Sequence, residues 1–263
     1  MLKKLYIYDS KNLFKILLPF VFSLLGAGIL CCGLFFLASL APEGFSVLLV
    51  IPCVFLLFAI FIGGAVGMLY PYLYYFRSFY TDMAYFTFSF PASAKTQFHS
   101  KILSGATYMY AIALSTILSV AFALAGLFFG FIPDASLGIG EIFKALFGAM
   151  GSLDIVTSVL FLAYLIISPV ISLLLAYTAI NLGALTLKKH KVLGAILFYF
   201  ITSWAVSFVE MVVSLVFSIA FISLSLSLNT FLSYLIQIVL GVGIAIGAYF
   251  LSRHFLTKRF NLE

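Results

Sequence analysis

Charge is almost absent from long stretches of this chain. Between Ile16 and Phe76 the only charged residue is Glu43, and further apolar runs cover 102–131, 155–187, 192–223 and 231–252. Each is at least as long as the roughly 20 residues that carry a helix across a hydrocarbon core about 30 Å thick. The chain as a whole is 65% hydrophobic and 8% charged, against about 45–50% and about 25% in soluble domains. A soluble fold would leave much of that apolar side chain facing water. The expectation is an all-α integral membrane protein: one transmembrane domain over 1–263 with six transmembrane helices in the lipid bilayer.

The ends of the runs carry the remaining information. Over residues 1–15, Lys4, Lys11 and Lys15 share one face at helical spacing and Leu2, Leu5, Tyr6 and Leu13 the other, so an N-terminal amphipathic interfacial helix is expected there. Asp9 interrupts its apolar face, which predicts packing on protein as well as lipid; the other reading is a frayed polar tail. The first span, Ile16–Ala41, is too long for the h-region of a cleaved leader. Pro42-Glu43-Gly44 makes a turn, and the second span, Phe45–Phe76, is long enough to tilt, to kink at Pro52 or Pro71, or to project beyond the bilayer. Residues 132–154 form an outer interfacial segment, in which Ile139, Ile142, Phe143 and Leu146 recur at helical spacing; a loop is the alternative. The fifth region, 192–230, exceeds one simple crossing and is expected to bend or re-enter, with a turn near Asn229-Thr230.

Of the 14 Lys and Arg residues, 13 fall in the N-terminal segment, the 77–101 loop, the Lys188–Lys191 loop and the C-terminal tail. Only Lys144 lies on the other side. The positive-inside rule then places both termini in the cytoplasm. The net charge of +6 is thus a topology signal, and no nucleic-acid partner is expected.

Chemistry-bearing motifs are missing. The sequence has no GxxxxGK[ST], HExxH or GxSxG, so a nucleotide-hydrolysing or hydrolytic site is not expected, and any ATP would be used elsewhere. His99, His190 and His254 sit singly at the ends of spans, and Cys31, Cys32 and Cys53 lie inside apolar runs, so neither a metal site nor a disulfide framework is expected. Gly63/Gly67 and Gly243/Gly247 have GxxxG spacing, which permits close helix approach either within the chain or across a dimer face.

Two places stand apart. Glu210 lies inside an apolar run with no basic residue near it in sequence. A carboxylate within hydrocarbon costs a few kcal/mol, so it must be protonated, turned toward a polar cavity or hydrogen-bonded. A straight helix from Val192 would lift it roughly 27 Å. Its readings are a structural hydrogen bond, a substrate-facing or proton-linked role, or an outer-surface position. The other place is the loop 77–101, RSFYTDMAYFTFSFPASAKTQFHSK, rich in aromatic residues and bearing Lys95 and Lys101. Phe90-Pro91 should end whatever precedes it, and Ser93 can cap a helix running through Gln97 and His99 to Lys101. It reads as a docking surface for a peripheral partner or as an ordinary amphipathic connector.

The stretch DMAYFTFSFPASAKTQFHSK resembles the first cytoplasmic loop of permease subunits of ABC-2-type transporters from Gram-positive bacteria. That loop reads approximately acidic-x-Gly-Tyr-Leu-x-Phe-x-Leu-Pro-Val-Ser, with Ser-Lys at the third span. Asp82, Tyr85, Phe88, Pro91, Ser93, Ser100 and Lys101 match. Ala84 stands for the glycine, Met83 for a second acidic residue, Phe86 and Phe90 for leucines and Ala92 for valine. Tyr8-Asp9, where the family often has Tyr-Glu, and HKVLGAI after the fourth span are also similar. The resemblance implies a permease subunit of an exporter in the bacterial cell membrane. ABC ATPase subunits, carrying ATP and Mg, would dock on this coupling loop through Asp82, Tyr85, Phe88, Phe90, Pro91, Ser93, Lys95 and Lys101. A second permease chain, identical or related, would complete an alternating-access pathway for a hydrophobic or amphipathic substrate such as a peptide, drug or lipid-like molecule. Two other classes compete: a regulatory or scaffold membrane protein with no transport path, and an ion-coupled secondary carrier in which Glu210 titrates.

Overall fold

The structure is a computed structural model that describes residues 1–89, 92–131, 155–187, 189–220 and 226–258. Its helices in chain order are α1 (Leu2–Leu40), α2 (Glu43–Tyr80), α3 (Met83–Ser89), α4 (Ala94–Phe131), α5 (Ile155–Thr186), α6 (Lys191–Ala220) and α7 (Leu226–Lys258). Six of them, all but α3, are long and apolar enough to cross a membrane. No strand occurs among the described residues.

Several boundaries differ from the sequence reading. The separate interfacial helix over 1–15 is instead the first four turns of α1, which continues past Pro19 to Leu40. The structure has one helix there because nothing in residues 10–16 breaks it: no proline or glycine intervenes, and Asp9 is drawn inward and satisfied. The turn placed at Asn229-Thr230 is likewise corrected, since both residues lie in the first turns of α7. Helix α6 ends at Ala220 and α7 begins at Leu226; residues 221–225 lie outside the described residues, as do the outer segment 132–154 and the pair Phe90 and Pro91.

The chain divides into two compact units. One comprises Ser10–Tyr70 and Thr107–Met150, and its described helices are parts of α1, α2 and α4. They approach closely because small residues meet backbone. A Cβ on Gly28 would lie 2.7 Å from the Ser119 backbone, and one on Gly126 would lie 2.5 Å from the Cys32 backbone. Gly64 and Gly67 of α2 instead receive side chains, that of Thr116 and those of Phe20 and Ile112. Next to these contacts Cys31, Phe35, Cys53 and Ala123 form a core. The Cys31 and Cys53 thiols are free and buried, with Cys31 Sγ 3.6 Å from the Cys53 carbonyl oxygen and Cys53 Sγ 3.3 Å from that of Leu49.

The other unit comprises Met1–Asp9, Pro71–Ala106 and Gly151–Glu263. In it α5 packs on both α6 and α7. The turn from α5 to α6 is closed by glycines facing each other: a Cβ on Gly183 would fall 2.3 Å from the Gly194 carbonyl. Gly243 and Gly247 of α7 have nothing within 4 Å of a would-be Cβ, so the second GxxxG pair makes no close helix approach among the described residues.

Candidate functional site

The loop 77–101 takes a definite form. Helix α2 runs on to Tyr80, a two-residue turn follows, and α3 begins where the Ala84 amide donates to the Thr81 carbonyl, 2.8 Å. Ala84 is buried and its φ is not positive, so glycine is not required at this position; a small side chain is. Met83 and Tyr85 face outward, Tyr85 at 62% exposure, and Asp82 is exposed beside them. The inner side of α3 is held twice. Phe88 lies against Phe79 of α2, centroids 5.7 Å apart, and the buried Gln97 side chain of α4 donates to the Thr87 carbonyl at 2.8 Å.

Ser93 caps α4 as expected, accepting from the Thr96 amide at 3.3 Å and lying 2.8 Å from the Thr96 hydroxyl. The helix it caps is the third span itself. The short separate helix is α3, on the other side of Pro91. Lys95 is exposed, whereas Lys101 is 5% exposed and turned into the chain. Lys101 is therefore corrected from a docking residue to an interior one.

The reason is Asp9. Lys101 Nζ lies 2.6 Å from Asp9 Oδ1, Ser100 Oγ donates to Oδ2 at 2.5 Å, and the Tyr74 hydroxyl donates to Oδ1 at 2.9 Å. The ammonium also sits 4.2 Å from the centre of the Tyr74 ring. A buried carboxylate with three donors, one of them cationic, is a satisfied group, and removing either charge of the pair would leave the other buried without its counter-charge. Beside it Tyr177 donates to the Lys101 carbonyl at 3.2 Å and stacks on Tyr75, centroids 3.8 Å and planes 12° apart. The Tyr75 and Tyr80 hydroxyls both donate to Asn181 Oδ1, at 2.9 and 2.7 Å. These bonds tie the start of α1, the end of α2 and the start of α4 to α5, directly behind the exposed α3.

Sequence reasoning noticed Asp9 only as a flaw in an apolar face and passed over Tyr74, Tyr75, Tyr177 and Asn181. The available signals were the tyrosines of PYLYYF and an asparagine inside an apolar helix. His99 bonds Tyr249 at 2.7 Å with the rings stacked, and among the described residues no cluster could hold a metal ion.

Glu210 occupies a second polar place. It is half-buried and lines a cavity of about 240 Å³ together with Tyr164, Ser168 and Ser172 of α5 and Ser203 and Ser207 of α6. Gln237 and Gly241 of α7 complete the wall. Among the described residues the Glu210 carboxylate has neither a hydrogen bond nor an ion pair, and the polar groups near it are those of this cavity wall. A separate apolar cavity of about 470 Å³ lies between α4, α5 and α7, lined by aliphatic side chains with His99 and Tyr249.

The six long apolar helices define a multi-pass membrane protein. Comparison with family models, with curated proteins and with solved structures finds no match to this chain.

Proposed function

We propose that the chain is the transmembrane permease subunit of an ATP-driven exporter of the ABC-2 type in the bacterial cell membrane, with both termini in the cytoplasm. It works beside a second permease chain and moves a hydrophobic or amphipathic substrate. One observation carries the reading. Asp9, from one stretch similar to the family, and Ser100-Lys101, from another, meet in one buried cluster, with the Asp9 carboxylate accepting from both Ser100 and Lys101. An acidic residue where the family often has Glu and a matching lysine 92 positions on, which then touch, have a shared physical reason to be there.

The exposed α3 supports the same reading. It presents Met83 and Tyr85 outward while Phe79, Phe88 and Gln97 fasten it to α2 and α4. A partner pressing on α3 would act on two long helices at their ends. The partner expected there is an ATPase subunit that binds ATP and Mg, since the chain has no nucleotide-binding motif of its own. The distribution of 13 of 14 basic residues supports the orientation.

The test is purification of the tagged chain from its native host in mild detergent, with mass spectrometry of what remains bound. The expected result is a stoichiometric P-loop ATPase that is lost in Tyr85→Arg, a change at an exposed position that leaves insertion and folding intact. A chain recovered alone in several detergents with an ATP analogue present would overturn the proposal.

A further inference from the structure

The Glu210 cavity is half apolar, and its polar wall carries four serines, Tyr164, Gln237 and a single carboxylate. Ser172 Oγ donates its hydrogen to the Pro169 carbonyl at 2.9 Å and Ser168 Oγ to that of Leu165 at 3.5 Å. The second of these follows from Pro169, whose missing N–H leaves the Leu165 carbonyl without its helical donor. Both serines have their hydrogens committed to backbone; Ser168 keeps its lone pairs for the cavity, while Ser172 also accepts from the Tyr72 hydroxyl at 3.4 Å and keeps one. Around them stands one carboxylate with no cation of its own. Such a lining favours an occupant that is positively charged or donates hydrogen bonds.

Size and chemistry narrow the occupant. The cavity, about 240 Å³, is several times the roughly 30 Å³ share of one water molecule. A bare Na⁺ or Ca²⁺ needs oxygens closed around it at about 2.3–2.6 Å and, for the divalent ion, more than one carboxylate. A single carboxylate in a roomy, half-apolar cavity suits one positive charge spread over a larger group. We propose that this cavity binds the ammonium group of an amphipathic cation, with Glu210 as counter-ion. This rests on the permease reading in so far as the cation is the exported substrate; the binding itself requires no ATPase. An ammonium could be delivered by an exported amine or by the headgroup of an aminophospholipid.

The test uses the whole chain in phosphatidylglycerol nanodiscs, and its single tryptophan is the reporter: Trp204 directly follows the lining residue Ser203. Dodecylammonium, which carries the N–H donors of an amine or an aminophospholipid headgroup, is titrated against dodecanol, a neutral alkyl probe of the same length, with equilibrium dialysis as the second readout. The expected result is saturable binding of the ammonium probe alone, weakened at least tenfold in Glu210→Gln and in Ser203→Leu, which fills the cavity without touching the charge. Ser214→Ala, outside the cavity, should bind as the wild type does. Nanodiscs containing phosphatidylethanolamine separate the sources: competition with the probe assigns the site to a lipid headgroup, and its absence to a soluble amine. Equal affinity in the wild type and both variants, or equal binding of the neutral probe, would overturn the inference. Either result leaves the ATPase capture unaffected, so failure of one proposal is distinguishable from failure of the other.

Discussion

Removing the charge of Asp9 while keeping its shape is the sharpest perturbation available. In the folded chain its carboxylate accepts from Lys101, Ser100 and Tyr74, and the Asp9 and Lys101 side chains are 5% and 6% exposed. Asp9→Asn retains an acceptor oxygen for Ser100 or Tyr74 but leaves the Lys101 ammonium buried, with the Tyr74 ring at 4.2 Å as its remaining favourable contact. Breaking one side of a buried pair costs about 3–5 kcal/mol. The ring contact, together with the ability of a membrane-embedded unfolded state to find other partners, places this case at the lower end, about 3 kcal/mol. That is more than a hundredfold in the folding equilibrium. Adding Lys101→Met removes the orphaned charge while keeping the stem's packing, so the double variant should return to within about 1 kcal/mol of the wild type. The assay is the helical circular dichroism signal of the purified chain titrated with sodium dodecyl sulfate. A single variant losing less than about 1 kcal/mol, or losses that simply add in the double variant, would show that the pair is not a coupled buried unit.

Two further perturbations address packing and the neighbouring network. Gly126→Ala drives a methyl group into the Cys32 backbone at 2.5 Å and should lose about 1–3 kcal/mol. Gly26→Ala, with nothing within 4 Å, should hold or gain up to about 1 kcal/mol in the same detergent titration; equal effects at the two sites would refute the close helix approach. Asn181→Leu takes away the acceptor shared by Tyr75 and Tyr80 and should cost about 2–3 kcal/mol in thermal unfolding. The single change Tyr80→Phe, which leaves Tyr75 its bond, should cost less than half of that, and the reverse order would contradict the shared acceptor.

Lys95 and Lys101 show where sequence reading ends. Both are basic, both lie within about two turns of the cap Ser93, and both fall in the docking surface that the sequence suggests. One is exposed and the other is nearly sealed. What separates them is a carboxylate 92 residues upstream, and no local pattern contains that distance. The glycines divide in the same way. Gly63/Gly67 and Gly243/Gly247 share one spacing, yet Gly67 receives Phe20 and Ile112 while Gly243 and Gly247 meet nothing within 4 Å. Spacing permits approach; only the neighbouring helix makes it happen.

Length, hydropathy and capping are properties of consecutive residues, so the chain by itself determined the six long apolar helices, the break before Ser93 and the cap it makes, and the oddity of Glu210. Tertiary structure decided the rest. It continued α1 through residues expected to be a separate surface helix, because Asp9 found three donors and had no need of the interface. It also gathered serines from two helices around Glu210, so that a carboxylate with no partner in its own helix faces a polar cavity. A buried charge is tolerated only when groups distant in sequence converge on it, and that convergence exists only once the helices have packed.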